Sequence, residues 1–144
     1  MALDATQGKA INDSLVAHQA ENVTDAHGNT LGAELNAGEN SIGFTEKANT
    51  STTGASTIDW TKSNKQTITL TEATTLTFTA PSNPCNLLLK IVQNATGGFA
   101  LTLPTIKWTG GTAPTLTTTA NAVDILSLYY DGTSYYGMAG LDFS

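Results

Sequence analysis

Threonine fills 26 of the 144 positions, and in two stretches it alternates with apolar residues. Thr67, Thr69 and Thr71 interleave with Ile68 and Leu70, and Thr75, Thr77 and Thr79 interleave with Leu76 and Phe78. A branched Cβ restricts χ1, which costs a helix more than a pleated strand. Period-two alternation sends the apolar residues to one face of a strand and the hydroxyls to the other. Such a chain is expected to build sheets, and a helical bundle is excluded.

The pattern recurs through residues 58–144. Asn86 to Gln93 is nearly all apolar and is expected to be a central strand covered on both faces. Phe99, Leu101 and Leu103 alternate with Ala100 and Thr102; Ile106 and Trp108 follow Pro104; Val123 to Tyr130 is the second strongly apolar strand. Asp131-Gly132-Thr133 reads as a tight turn into Ser134 to Met138, which closes a hairpin. Short strands between Gly- and Pro-marked turns predict an all-β body, an antiparallel sandwich or jelly roll. Its expected core holds Trp60, Leu89, Ile91, Trp108, Ile125 and Leu128.

Residues 1–57 read differently. Ile11, Leu15 and His18 fall at i, i+4 and i+7, which predicts a short N-terminal helix with one narrow apolar stripe. A helix this short needs a partner to be stable. Residues 25–57 read as an extended arm: Gly28, Gly32, Gly38 and Gly43 interrupt any long element, while Leu31, Leu35, Ile42 and Phe44 suit attachment to a surface. The expected division is therefore 1–57, helix and arm, and 58–144, β-sandwich body.

Charge narrows the function. Charged residues make up only 12%, about half the usual share. Six lysines, no arginine and 12 acids give a net charge of −6. Nucleic acid and anionic membranes are recognised by basic faces, so neither is an expected partner. The first residues carry no basic stretch followed by an apolar one, and the apolar run Leu87 to Val92 is broken by Lys90. Neither a signal peptide nor a membrane span is read.

The chemistry-bearing residues are few. Cys85 is alone, so it forms no intrachain disulfide and is expected to be a small buried or half-buried thiol. His18 and His27 match no zinc spacing, and neither Gly97-Gly98 nor Gly110-Gly111 leads into a phosphate loop. A glycosidase needs two carboxylates across a cleft, and the spacing of Asp59, Glu72, Asp124, Asp131 and Asp142 favours no such pair. No enzyme, cofactor or metal site is expected. Four tyrosines cluster late, at 129, 130, 135 and 136. Alternation turns half of each pair inward, and an outward Tyr offers a sugar a flat ring and a hydroxyl. Tyr135, Tyr136 and Asp131 are the candidates for a glycan contact, with core and intersubunit packing as the alternative.

The body also carries a set of short motifs: Ile-Asp-Trp (58–60), Gln-Asn-Ala-Thr-Gly-Gly (93–98), Leu-Pro-Thr-Ile-Lys-Trp (103–108), the run from Gly110 to Ala120, Val-Asp-Ile-Leu (123–126) and Tyr-Asp-Gly-Thr-Ser-Tyr-Tyr-Gly (130–137). With these it resembles a module of tailed-bacteriophage virion appendages, the head fibres and tail fibres. Ser14 to Asn22 and Asp25 to Gly28 are similar to fibre connector sequence. The resemblance implies a homotrimer with no catalytic residues to carry over. It implies that residues 1–57 anchor the chain to a phage capsid or tail protein, with Ile11, Leu15 and His18 on the anchor or trimer helix. Whether His18 faces a threefold axis stays open. A helix and arm of at most about 50 residues hold the body close to the particle, which favours a short head fibre or capsid decoration protein. A short tail or baseplate fibre that binds a host glycan receptor is the alternative. The expected location is the virion, after synthesis in the host cytoplasm.

Overall fold

The computed structural model describes residues 43–143. The predicted N-terminal helix with Ile11, Leu15 and His18, and the arm up to Ile42, lie outside the described residues. Among the described residues nine strands form two sheets. The larger has the order β1 (Lys47–Thr50), β3 (Lys65–Leu70), β5 (Cys85–Gln93), β8 (Val123–Tyr130), β9 (Tyr135–Phe143) and β7 (Lys107–Trp108). The smaller has the order β2 (Ala55–Asp59), β4 (Thr74–Thr79) and β6 (Leu101–Thr102). The all-β architecture expected from the alternation is present.

Strand direction differs from the antiparallel expectation, and the route of the chain explains why. The chain crosses from β1 to β2 in the other sheet, then returns to lay β3 beside β1. A strand that returns this way pairs in parallel. β1, β3 and β5 are parallel neighbours, as are β2, β4 and β6. Lys47 pairs with Gln66 and Ala55 with Thr75, so a circuit takes about 20 residues, the length of a short solenoid coil. Antiparallel pairing appears where β8 runs back along β5 and β9 along β8. Paired structure also starts before Ile58, because Lys47–Thr50 and Ala55–Thr57, read from sequence as arm, are strand residues.

The core lies between the sheets. Trp60, Leu89, Ile91 and Leu128 are buried in it, with Ile58, Ile68 and Leu126, while Trp108 is half-buried against its edge. Ile125 corrects the expected core. β8 buries Asp124, Leu126, Leu128 and Tyr130, which leaves Ile125 half-buried on the outer face. Asp124 is secured inward: its Oδ2 accepts from the Thr117 amide at 2.7 Å and its Oδ1 from the Asp142 amide at 2.9 Å. β5 likewise turns Leu87, Leu89 and Ile91 inward, and Leu88, Lys90 and Val92 lie half-buried outside. The central strand is therefore fully covered on one face only.

Buried amides hold the corners. Gln93 Nε2 donates to the carbonyls of Phe99 (2.7 Å) and Thr117 (3.1 Å), while its Oε1 accepts from the Phe99 amide. Gln66 Nε2 donates to the carbonyls of Asp59 and Ser63. These bonds satisfy loop carbonyls that would otherwise be buried unpaired. On the outer face of the small sheet the hydroxyls of Thr57 and Thr77 meet at 2.8 Å, a cross-strand pair of the kind a Thr-rich face supports. Two glycines are required by close approach. A Cβ on Gly137 would lie 2.8 Å from both Ile106 and Trp108, and one on Gly97, where φ is +66°, would lie 2.5 Å from the Ala120 amide nitrogen.

Candidate functional site: an aromatic groove on the large sheet

The Asp131 turn sets the register of the hairpin, and the register sorts the tyrosines. Tyr130 pairs with Tyr135 and Tyr129 with Tyr136. Partners in a pair share a face. Leu126, Leu128 and Tyr130 point inward, so Tyr135 follows them. Its ring packs edge-on to Phe78 at 5.2 Å and lies 4.7 Å from the ring of Tyr130. Its hydroxyl is buried without a hydrogen-bond partner, and burial pushes its pKa up. Tyr130 directs its own hydroxyl to the Gly132 carbonyl at 2.8 Å.

Tyr129 and Tyr136 stand on the opposite face, 48% and 42% exposed, with ring centroids 6.5 Å apart and planes tilted by 35°. They line a groove of about 490 Å³ together with Asn86 from β5, Lys107 and Trp108 from β7, and Ser127 from β8. Met138, 62% exposed, closes one side. Lys107 pairs in register with Tyr136; its Nζ donates to the Tyr136 hydroxyl at 3.3 Å and sits 4.9 Å from that ring's centroid. Flat rings, a cation, an amide and a hydroxyl converge there, a combination that suits a small polar ligand with an apolar face. A larger opening of about 560 Å³ is lined by Leu101, Leu103, Pro104, Ile106, Trp108 and Leu116.

The three residues singled out from sequence therefore separate. Tyr136 is in the groove, Tyr135 is in the core, and Asp131 serves its turn. The Asp131 carboxylate accepts from the Ser134 amide at 2.7 Å and the Thr133 amide at 2.8 Å. Those two bonds, Ser134's first, hold its pKa below the usual carboxylate value, with smaller help from the Tyr136 hydroxyl and the Lys107 charge. Lys107, Trp108, Asn86, Ser127 and Tyr129 are groove residues that the sequence did not single out. For Tyr129 a signal existed: a turn centred on Gly132 pairs it with Tyr136.

The other candidates have structural partners. Asp59 accepts from the Thr61 hydroxyl at 2.6 Å and the Thr61 amide at 3.0 Å, which lowers its pKa. Cys85 is half-buried, and burial raises its pKa, so the thiolate is disfavoured. Among the described residues no group of three or more His, Cys, Asp or Glu could hold a metal ion. Ile11, Leu15, His18 and His27 lie outside the described residues.

The family model described as "Putative phage tail fibre C-terminal domain" matches residues 48–135. No curated protein and no solved structure matches the chain.

Proposed function

The chain belongs to the phage tail fibre C-terminal domain family, and from that membership we propose that its body is a homotrimeric adhesion domain whose groove docks onto host-surface glycan. The observation that carries this reading is the exposed Tyr129–Tyr136 pair, ringed by Lys107, Asn86 and Ser127. Aromatic side chains left half-exposed on one sheet face, with polar groups at their edges, match the two-sided chemistry of a sugar ring. One such site binds weakly. Three on a fibre, and many fibres on a particle, turn weak sites into durable attachment without any new contact.

In this reading residues 1–57 fasten the domain to a phage tail or capsid protein. Tail attachment is favoured by the family; the head-fibre placement expected from the short arm is the competitor. A tagged protein seen on virions by electron microscopy decides between them: label on the tail is expected, and label on the capsid overturns the tail placement.

The adhesion test uses labelled full-length protein, displayed multivalently on host and non-host cells. Host-selective adhesion is expected. Tyr129→Ala and Tyr136→Ala should weaken it with little change in melting temperature, because both rings are exposed. Tyr135→Ala should instead lower the melting temperature, because its ring packs on Phe78 and Tyr130. Absence of adhesion by the wild-type protein would leave a purely structural role.

A further inference from the structure

The geometry points to an acidic glycan, one bearing carboxylates, as the ligand class of the aromatic groove; this rests on the glycan reading above. The chain carries six lysines against 12 acids, yet three of the six, Lys65, Lys90 and Lys107, belong to one face of the large sheet. The registers place them there. Lys65 pairs with Leu88, Lys90 with Ile125 and Lys107 with Tyr136, and each of these partners is on the outer side. Glu46 pairs with Lys90 at 3.1 Å, so these two charges offset each other. Asp131 lies within electrostatic reach of Lys107; the Ser134 and Thr133 amides both donate to its Oδ1 and keep it ionised, so it offsets part of the Lys107 charge.

The three lysines and the two acids beside them, Glu46 and Asp131, sum to +1 on a chain of net charge −6, so the charge that bears on the groove is that of Lys107, at the end of this face. Lys107 is the cation of the groove itself. An ammonium has three donors, and one of them is directed at the Tyr136 hydroxyl. A sugar ring resting on the tyrosines can offer a carboxylate to the remaining donors, while Asn86 and Ser127 are in place for its hydroxyls. Because Lys107 is exposed, the carboxylate adds a modest preference of about fivefold.

Glucuronate and glucose have the same pyranose ring and differ by the carboxylate, so they are the probes. Binding of each to the full-length protein is followed by saturation-transfer NMR. Glucuronate is expected to bind about fivefold more tightly at low salt. That advantage should vanish in molar salt and in Lys107→Gln, whose melting temperature should match wild type. Tyr129→Ala should weaken both sugars alike. Equal binding of the two sugars by the wild type, or an advantage that survives Lys107→Gln, would overturn the acidic class and leave the glycan reading intact. If neither sugar binds, the glycan reading falls and the acidic class with it; if Tyr129→Ala changes the oligomeric state and no sugar affinity, the face is occupied by another copy of the chain and both readings fall.

Discussion

Asp124 is a buried carboxylate with no salt-bridge cation among the described residues, held by the backbone amides of Thr117 and of Asp142 in β9. It fastens the segment at Thr117 and the end of β9 to β8. Asp124→Ala would leave both amides without an acceptor in a dry site, at about 1–3 kcal/mol each. A loss of about 2–5 kcal/mol per chain is expected in urea unfolding, and Asp124→Asn should recover part of it because its carbonyl oxygen still accepts. An Asp124→Ala protein as stable as wild type would mean that other contacts hold these loops. Tyr135 and Tyr136 make the same point from the opposite direction: adjacent residues of one type have separate fates because the sheet puts them on separate faces.

At the scale of elements, β8 decides how the large sheet meets the core. Its sequence Val-Asp-Ile-Leu-Ser-Leu-Tyr-Tyr has apolar residues on both parities, so alternation alone gives no direction. The structure sends Leu126 inward and Ile125 outward. Leu126→Ala is therefore expected to cost about 2–5 kcal/mol by denaturant melting. Ile125→Thr, which keeps the β-branch on a half-exposed face, should stay within about 1 kcal/mol. The reverse order would refute the assigned parity. β1, an edge strand of the large sheet, is four residues long and opens with Lys47, features that discourage open-ended strand addition.

At the scale of the whole molecule, the outer face of the large sheet carries apolar side chains at the strand ends away from the groove. There Val92, Val123 and Phe143 fall in one cross-strand row, and Phe143 is 52% exposed with its ring over Gly140. Contiguous apolar surface of this kind marks association, and a trimer built on it needs few ion pairs. Light scattering is expected to give three times the 15.0 kDa chain mass. Phe143→Glu should shift the protein toward monomer while leaving the circular dichroism of the sheets in place. A wild-type monomer at micromolar concentration would refute the trimer, and a Phe143→Glu trimer would move its interface elsewhere.

The sequence by itself determined that this chain folds as sheets, because the Thr alternation at residues 67–71 and 75–79 has only one comfortable backbone. It also determined the hairpin turn at Asp131-Gly132 and the burial of Leu89, Ile91 and Leu128. It did not determine strand direction: alternation says which face a side chain takes and nothing about which way its neighbour runs. The parallel circuits follow from where each crossing lands. The parity of Ile125 and Leu126 depended on partners of Asp124 lying seven and 18 residues away, Thr117 and Asp142. The groove was the least legible feature, because it exists only where β5, β7, β8 and β9 come together. Asn86, Lys107, Ser127 and Tyr136 are brought to one surface by non-local pairing, and no local pattern in the chain records that.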